Sequence, residues 1–430
     1  MGKNALVALG GGPSPVINAS LLGVIEGARS FPDRIDRVYG ALHGIEGVLL
    51  EELVDLGAQD EAELAKLYHT PSSGSIGTCR YKLHGHSEED YGRVIDVLGA
   101  HGIGYFFYIG GNDSMDTAHK VSALAHERGM ELIVAGVPKT IDNDLGDEAR
   151  TLIDHTPGYG SAARYWATLI RDIEEENRSI YVSESVCVLQ AMGRKSGFIT
   201  AAARLADPGR EFPIQMYFAE TGMGLEELYD NVRRSLTECG RCIVVVNEGF
   251  NVGDLGEAKD GFGHPEYGAS EQAAAQVVAN HLNRRGLPSR GQAVWQVPGV
   301  MQRSTSACRS SVDAEEAREV GMHAVKTAVK DGTGWMATIL RDYTAPSYKV
   351  RYDKVRLDVI AKSERFLPPE WIDGSGVDVN DAFVEYARPL IGEGPARVPV
   401  DAATGIQDFA ALDLRRIDKR CPAYVPLNFR

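Results

Sequence analysis

The sequence predicts an α/β fold in which buried parallel strands alternate with helices. Short apolar runs rich in β-favouring residues, such as 104–109 and 132–137, are typical of strands covered on both faces. Each of these runs ends in a glycine-rich or polar loop, after which apolar residues recur with helical spacing. The pattern occurs in two successive halves of the 430-residue chain, which indicates more than one domain.

The individual elements follow from the same patterns, taken in order along the chain. Apolar, β-favouring runs predict strands at 4–9, 37–42, 104–109, 132–137, 182–189, 242–246 and 293–297. Helical spacing predicts helices at 16–25, 60–68, 114–128, 162–176, from about 197, and at 271–283, 312–330 and 381–386. The glycines around 332–341 favour a hairpin or edge strands, and the glycine-rich stretch 253–268 favours a surface loop.

Two glycine turns join a predicted strand to a predicted helix. Residues 10–12 follow the first strand, and residues 110–111 follow the strand at 104–109. Glycines let a phosphate group approach the backbone, and the start of a helix offers free N–H groups. The first turn lacks the Gly-Lys-Ser/Thr ending of a Walker A loop and the spacing of the dinucleotide fingerprint, so a tight βα turn is its simpler interpretation.

The stretch 134–145 carries the densest group of reactive side chains. Its strand ends at Pro138, because proline cannot donate to a sheet ladder. The loop that follows holds one ammonium, one hydroxyl and two carboxylates, on Lys139, Thr140, Asp142 and Asp144. Ligands of open α/β sheets bind outside the carboxyl ends of the strands, so this loop is a candidate active site. A capped loop between strand and helix, where Thr and Asp are common, is the alternative.

Net charge and cysteine usage restrict the classes of partner. The net charge of −15 argues against nucleic acid or an anionic membrane, because both require a basic surface. We see no apolar run long enough to cross a bilayer, and the chain begins with a strand rather than a signal peptide. Six sparse cysteines fit a reduced, cytoplasmic protein, and the C-x-x-C spacing at 239–242 lacks the further ligands of a zinc site.

Six motifs resemble, in order and spacing, those of the phosphofructokinase family over about residues 4–330. They are Gly-Gly-Asn-Asp-Ser at 110–114, Pro-Lys-Thr-Ile-Asp-Asn-Asp at 138–144, Thr-Pro-Gly-Tyr-Gly-Ser-Ala at 156–162, Met-Gly-Arg at 192–194, Asn-Glu-Gly at 247–249 and Gln-Arg at 302–303. The tail looks like that of the longer pyrophosphate-dependent members. Six ordered motifs are far more specific than a lone glycine pattern.

The resemblance implies two Rossmann-like three-layer α/β domains with parallel-rich sheets and the active site in the cleft between them. We expect a donor-binding domain at 1–151 plus about 304–345, and a sugar phosphate-binding domain at 152–303. A C-terminal extension at 346–430 is expected to pack on this core. Because relatives build the sugar site across a subunit contact, the resemblance also implies a homodimer or homotetramer.

The resemblance further implies roles for individual residues. Asp142 would be the base that deprotonates the sugar 1-hydroxyl, and Arg194 and Arg80 would neutralise the phosphoryl group in transfer. The donor phosphates would face Gly11, Gly12, Arg80 and Ser114. The sugar phosphate would contact Thr140, Ile141, Met192, Gly193, Glu248 and Arg303. Mg²⁺ would be held by Asn112 and Asp144, although many relatives have aspartate at the position of Asn112.

Two positions predict the phosphoryl donor. ATP-using relatives have glycine in place of Asp113 and a small residue in place of Lys139, so this chain resembles the pyrophosphate-dependent pattern. A carboxylate at position 113 fills the space of a nucleotide α-phosphate and repels it, at a cost of several kcal/mol when water is excluded. A lysine at position 139 can hold pyrophosphate. The predicted substrates are therefore diphosphate and a sugar phosphate, with fructose 6-phosphate as the first choice.

The acceptor side departs from the family pattern. Ser185, Val294 and Val300 stand where relatives have an arginine, a cation, and a histidine or tyrosine that contact the sugar phosphate. Arg309 or Arg290 are candidates to replace them. Another sugar or polyol phosphate therefore stays open as the acceptor. A non-catalytic sugar-phosphate-binding paralogue is a third hypothesis, against which the retained base and arginine clamp argue.

Overall fold

The structure, a computed structural model, describes residues 2–83, 88–256, 258–259, 263, 265–395 and 397–430. The strands are β1 (Lys3–Leu9), β2 (Ile35–Ala41), β3 (Leu53–Asp55), β4 (Ile103–Gly110), β5 (Ile133–Pro138), β6 (Val186–Ala191), β7 (Ile214–Tyr217), β8 (Cys242–Asn247), β9 (Ala258–Lys259), β10 (Pro265–Glu266), β11 (Ala293–Gln296), β12 (Trp335–Arg341) and β13 (Val350–Arg356). The α-helices are α1 (Ile17–Arg29), α2 (Ile45–Leu49), α3 (Glu61–Lys66), α4 (Glu88–Ala100), α5 (Asn112–Glu127), α6 (Tyr159–Ile180), α7 (Phe198–Ala201), α8 (Leu225–Cys239), α9 (Ala274–Arg285), α10 (Ser311–Asp331), α11 (Leu357–Ile360) and α12 (Asp381–Ala387). Among the described residues, no helix has the length and apolar character needed to span a bilayer.

The larger sheet has seven strands in the order β13-β12-β5-β4-β1-β2-β3. Its central strands, from β12 to β2, run parallel, and the antiparallel strands β13 and β3 form the two edges. On β1, Leu6 belongs to the apolar cluster on one face and Val7 to the cluster on the other. On β4, Phe106 and Phe107 divide in the same way. The sheet is therefore covered on both faces, as the continuous apolar runs predict.

The smaller sheet has four parallel strands in the order β11-β6-β8-β7. Val188 and Leu189 of β6 lie in separate apolar clusters, so helices and loops cover both faces here too. The predicted fold class is confirmed: the chain forms two three-layer α/β units with parallel-rich sheets, and a cavity lies between them. The exact residue bounds of the domains stay a prediction.

Several predicted element bounds are wrong. Strand β6 begins only at Val186, whereas the apolar run predicts a strand from residue 182. Val182 is 63% exposed, because helix α6 continues to Ile180 and the chain then turns outside the sheet. Helices α4 and α8 and strand β7 are not among the predicted elements. The region 332–341 supplies only one strand of a hairpin, since its antiparallel partner β13 lies further along the chain.

The predicted surface loop at 253–268 lies only partly within the described residues. Residues 257, 260–262 and 264 fall outside them. The described part contains the short antiparallel pair of β9 and β10, followed by a 3₁₀ turn at Tyr267–Ala269. Glu266 of β10 forms an ion pair with Arg80 at 3.1 Å, which connects this loop to the larger sheet's side of the cavity.

The chain beyond residue 346 packs on both units. Strand β13 completes one edge of the larger sheet. Phe383 and Tyr386 of α12 join the apolar cluster of the smaller sheet. Near the end of the chain, Tyr424 packs against the larger unit, and its hydroxyl donates to Asp90 Oδ1 at 2.5 Å. These contacts bring the segment between β13 and α12 close to the cavity.

A buried charge network holds the segment that follows the loop of Asp142. His155 Nδ1 lies 2.7 Å from Asp154 Oδ2, and His155 Nε2 lies 2.6 Å from Glu316 Oε2. Burial opposes protonation of His155, but the two carboxylates outweigh it and raise its pKa to about 9. Burial also disfavours the Asp154 carboxylate, yet hydrogen bonding to His155 and the charge of Arg341 lower its pKa to about 2. The network is therefore an ion triad at neutral pH.

This network predicts a loss of stability at alkaline pH. The folded-state pKa of His155 lies above its unfolded value, so its contribution is complete below about pH 6.5 and is lost as the pH rises through about 9. We expect His155→Gln to lower the free energy of unfolding at pH 6 by about 3 kcal/mol, because it removes the cation that two buried carboxylates share. Thermal unfolding between pH 6 and pH 10 measures both effects. The exposed His126→Gln is the control, and an unchanged pH slope in His155→Gln contradicts the prediction.

Candidate active site

A cavity of about 500 Å³ opens between the two units, at the carboxyl ends of their parallel strands. The predicted site residues that line it are Gly11, Gly12, Arg80, Asn112, Asp113, Ser114, Lys139, Thr140, Ile141, Asp142, Asp144, Met192, Arg194, Glu248 and Arg303. Gly193 does not line the cavity and instead donates its N–H to Glu248 Oε1 at 3.1 Å. The sheet topology thus brings together residues that are almost 300 positions apart in the chain, because the carboxyl ends of parallel strands share one edge.

The glycine turn after β1 leaves room for two guanidinium groups. A Cβ atom on Gly12 would stand 2.4 Å from Arg303 Nη1 and 3.7 Å from Arg80 Nη2. Gly11 has a φ of +75°, which favours glycine. The turn is therefore required to lack side chains where the cations of the two units approach each other. This arrangement suits a phosphate group, which both guanidinium groups can contact.

Lys139 lies buried beside this turn. Its ammonium donates to the carbonyl oxygen of Gly12 at 2.6 Å. Burial, followed by the charge of Arg303, lowers the pKa of Lys139 to about 7. Asp142 and Asp144 act in the opposite direction and are too weak to cancel these effects. An anion placed next to Lys139 therefore stabilises its protonated form and gains a buried partner.

Asp142 lies in the loop after β5, where the backbone is held in place. Its N–H donates to Thr140 Oγ1 at 3.1 Å, and its Oδ2 lies 4.0 Å from Arg194 Nε. Burial, followed by the charge of Asp144, raises the pKa of Asp142 to about 6. Asn143 and Arg194 have φ values of +57° and +53°, a conformation that non-glycine residues adopt at some cost. Strained backbone on both sides of this carboxylate is typical of a functional site.

The smaller unit supplies Glu248 and the segment around Met192. Glu248 Oε1 accepts the backbone N–H groups of Gly193 and Arg194, at 3.1 and 2.7 Å. Burial, followed by the charge of Asp142, raises the pKa of Glu248 to about 7. Gln302 Oε1 accepts from the Met192 N–H at 3.0 Å and from Trp166 Nε1 at 2.8 Å. Gln302 thus fixes the strand end that carries the arginine facing Asp142.

Asn112 and Asp144 are the residues predicted to hold Mg²⁺, and the orientation of the Asn112 amide fits that ion. Asn112 Nδ2 donates to the carbonyl oxygen of Ser363 at 2.7 Å, so the amide oxygen must face the other way. Asn112 Oδ1 is buried and has no hydrogen-bond partner among the described residues, and Asp144 lines the same cavity. The described residues contain no cluster of three acidic, histidine or cysteine ligands. Mg²⁺ does not require one, because it is usually bound through one or two carboxylates together with substrate phosphates and water.

Comparison with known proteins agrees with this geometry. A family model described as Phosphofructokinase matches residues 4–328. This chain belongs to the phosphofructokinase family. The pyrophosphate–fructose 6-phosphate 1-phosphotransferase of Methylococcus capsulatus is 37% identical over 430 residues, which cover 98% of each chain. The crystal structure of a pyrophosphate-dependent phosphofructokinase from Nitrosospira multiformis, 36% identical, matches with a TM-score of 0.87 over 98% of this chain and 100% of its own. A sulfofructose kinase of Alkalicoccus urumqiensis is 30% identical, over 93% of this chain and 98% of its own.

The structure also tests the positions at which this chain departs from its family. Ser185 is fully buried and its hydroxyl lies 2.8 Å from that of Ser289, whereas Val300 lines the cavity and is 60% exposed. Of the two arginines proposed as substitutes, Arg309 is buried and donates to the carbonyl of Tyr68. Neither Arg309 nor Arg290 lines the cavity of this chain, and a role for either of them in place of the missing contacts stays a prediction.

For two parts of the site, the sequence patterns do not predict the contacts that the structure shows. Gln302 is part of a family motif, but its role in holding Met192 follows only from the fold. The segment 361–364 also lines the cavity, although it lies beyond the matched residues 4–328. No spacing connects Ser363 with Asn112, which precedes it by 251 positions. Such long-range contacts are set by packing, which a local pattern does not encode.

Proposed function

We propose that this chain is a pyrophosphate-dependent 6-phosphofructokinase, which transfers a phosphoryl group reversibly between diphosphate and the 1-hydroxyl of fructose 6-phosphate. The observation that carries the proposal is that Asp113 and Lys139 line the same cavity as Asp142. A donor that reaches Asp142 must therefore pass a carboxylate and a buried ammonium. The relatives that match nearly the whole chain and are named for pyrophosphate support this assignment.

The donor end of the cavity is built for a small, highly charged group. Arg80, Lys139 and the N–H groups at the start of α5 supply positive charge at the glycine turn. Asp113 lies in the first turn of that helix. Its negative charge repels the α-phosphate of a nucleotide, which is the third phosphate counted from the group in transfer. Pyrophosphate has two phosphates and no nucleoside, so it can bind to these cations without contacting the Asp113 carboxylate. Asp113 thus selects against ATP by repulsion, as specific sites often do.

Phosphoryl transfer follows from the positions of Asp142 and Arg194. Asp142 accepts the proton of the sugar 1-hydroxyl, and that oxygen forms a bond to the nearer phosphorus of pyrophosphate. The bond from this phosphorus to the bridging oxygen breaks, and inorganic phosphate leaves. Arg194, whose Nε lies 4.0 Å from Asp142 Oδ2, is near enough to stabilise charge on the group in transfer. The residues act chiefly by position and charge, as is general for phosphoryl transfer.

Magnesium is the metal that the proposed reaction requires. Asn112 and Asp144 are the residues of this chain that would hold it, through the unpartnered amide oxygen and a carboxylate. When bound together with pyrophosphate, the ion would neutralise part of the phosphate charge. The oxygen-only donor set fits Mg²⁺ rather than a metal that prefers sulfur or imidazole.

A second acceptor stays a candidate because of the residues at the sugar end. Glu248 and Arg303 line the cavity there, but Val300 places an exposed apolar side chain where family members have a polar one. The similar protein from Alkalicoccus urumqiensis is named for a different sugar substrate, so the same scaffold is compatible with another acceptor. We therefore propose a different sugar or polyol phosphate as the alternative substrate.

We further propose a homodimer or homotetramer located in the cytoplasm. Trp295 of the edge strand β11 is 41% exposed, and Val300 and Met301 of the 3₁₀ turn that follows it are 60% and 54% exposed. Apolar side chains that cluster on a surface support a protein contact there. The described cysteines are all free, which fits a reducing compartment. Light scattering of the purified protein measures the size of the assembly.

A matrix of donors and acceptors tests the function. The purified chain with Mg²⁺ is incubated with pyrophosphate and, in turn, fructose 6-phosphate, other hexose phosphates and polyol phosphates. We expect the highest kcat/KM with fructose 6-phosphate and formation of fructose 1,6-bisphosphate. A higher kcat/KM for another acceptor supports the alternative, and binding without turnover for all acceptors supports a non-catalytic paralogue.

A further inference from the structure

The segment 361–364 lines the cavity although it lies outside the part of the chain that the family model matches. The family model ends at residue 328, and this segment follows strand β13 and helix α11. Ala361, Lys362, Ser363 and Glu364 all line the cavity that contains Asp142. The segment therefore supplies side chains to the site that the family motifs do not include.

The segment has a fixed course because the residues before it are buried. Leu357 and Ile360 of α11 are 0% exposed and join the apolar cluster of the larger unit. Ser363 ends the helix, since its N–H and its hydroxyl both bond to the carbonyl oxygen of Ile360, at 3.1 and 2.7 Å. The chain consequently turns toward the cavity at a defined point.

Ser363 connects the segment to both loops that carry predicted donor-site residues. Its carbonyl oxygen accepts from Asn112 Nδ2 at 2.7 Å, and its hydroxyl oxygen accepts from the N–H of Gly146 at 3.0 Å. The first bond sets the orientation of the Asn112 amide, and the second ties the segment to the loop after β5. Ser363 is thus a positioning residue for the donor end of the site.

Arg365 holds the catalytic loop from the other side. It is 0% exposed, and its backbone N–H donates to the carbonyl oxygen of Asp144 at 2.8 Å. Its guanidinium donates to the carbonyl and the side-chain oxygen of Asn143, at 3.0 and 2.8 Å, and also to the carbonyl oxygens of Ile153 and Asp154. Because Asn143 has a positive φ, these bonds stabilise a conformation that the loop would otherwise leave.

Lys362 directly precedes the two anchoring residues, Ser363 and Arg365, in the chain. It is exposed, it lines the cavity, and its side chain forms no ion pair or hydrogen bond with the described residues. Of the other cations at this end, Arg80 pairs with Glu266 at 3.1 Å and the ammonium of Lys139 bonds to the carbonyl oxygen of Gly12. Glu364 lines the same cavity.

We propose that Lys362 is a pyrophosphate-binding residue, held at the donor site through the contacts of Ser363 and Arg365, which follow it in the chain. Pyrophosphate carries several negative charges, and a lysine on a backbone that is already held at the cavity wall can bind it without first ordering the segment. This proposal rests on the proposed function, because it assigns a further ligand to the same donor. It predicts an effect on donor affinity that is separate from sugar affinity.

The test compares Lys362→Met with the wild-type chain in steady-state kinetics with pyrophosphate, fructose 6-phosphate and Mg²⁺. We expect the KM for pyrophosphate to rise about ten-fold, as for an exposed hydrogen bond to a charged group, while the KM for the sugar phosphate is unchanged. Lys362→Arg should restore most of the affinity, since it keeps the charge. Lys349→Met removes an exposed lysine that does not line the cavity and should leave both constants unchanged.

Two outcomes overturn the proposal. An unchanged KM for pyrophosphate in Lys362→Met shows that the ammonium makes no contact with the donor. An equal rise in both KM values, with no rescue by Lys362→Arg, shows that the residue acts on the fold of the segment and not as a ligand. If the wild-type chain itself does not turn over pyrophosphate, the proposed function fails instead, so the two failures are distinguishable.

Discussion

Replacing Asp142 by asparagine is expected to reduce kcat by roughly 10²- to 10⁴-fold, the usual contribution of a general base. The amide has nearly the same shape but cannot accept the proton of the sugar hydroxyl. Burial and the charge of Asp144 raise the pKa of Asp142 to about 6, which makes this carboxylate a stronger base than an exposed one. Initial rates at saturating pyrophosphate and fructose 6-phosphate measure the effect.

The control for this experiment is Asp147→Asn. Asp147 lies further along the same loop region and does not line the cavity. Asparagine keeps one oxygen to accept from the N–H of Leu152 and loses the other, which accepts from the N–H of Thr151. We expect this variant to retain the wild-type rate. Binding of fructose 6-phosphate to Asp142→Asn, measured by calorimetry, should be little changed. A loss of less than about ten-fold in Asp142→Asn would show that another group removes the proton.

The second large effect is expected from replacing the two residues that narrow the donor site. The double variant Asp113→Gly with Lys139→Gly removes the carboxylate that opposes a third phosphate and the ammonium that binds the second. We expect kcat/KM for pyrophosphate to fall by about 10²-fold, the value of one or two hydrogen bonds to a charged group. We expect ATP turnover to become measurable, since like charges about 4 Å apart cost about 4 kcal/mol near a protein surface.

The single variant Asp113→Asn shows whether ATP is excluded by the charge of Asp113 or by the size of its side chain. Asp113→Asn removes the charge and keeps the size of the side chain, so any gain in ATP turnover measures the electrostatic part alone. Thermal unfolding of the double variant controls for the loss of Lys139, which is 4% exposed and bonds to the carbonyl oxygen of Gly12. No ATP turnover in any of these variants, with folding intact, would exclude positions 113 and 139 as the determinants of donor choice.

The sequence predicts the fold class, and all of the predicted site residues except Gly193 line the cavity, for a physical reason. Parallel strands place their carboxyl ends at one edge, so a motif that follows a buried strand can be located without knowing the packing. Lys139 and Asp142 follow β5, Asp113 follows β4, and Glu248 follows β8. The local pattern places each of them after a strand, the family resemblance supplies the roles of Asp113 and Glu248, and the fold brings all four together around one cavity.

What the sequence does not predict depends on contacts between distant segments. Arg365 reads as one more charged residue in a polar stretch, yet it is fully buried and bonds to four backbone carbonyl groups and one side chain. The hydrophobic run at 182–189 predicts a strand that begins too early, because Val182 is apolar but exposed. Burial is a property of the packed chain, and single-sequence patterns report it only where a whole element repeats.

The central claim, that the cavity accepts two linked phosphates and excludes a nucleotide, is tested most directly by the ratio of kcat/KM for pyrophosphate to kcat/KM for ATP. The unmodified chain is assayed with each donor at a fixed Mg²⁺ and fructose 6-phosphate concentration. The geometry around Asp113 and Lys139 predicts a ratio of about 10³ or more, since about 4 kcal/mol of repulsion opposes ATP. A ratio near one, or turnover with ATP and none with pyrophosphate, would contradict the assignment of the donor site.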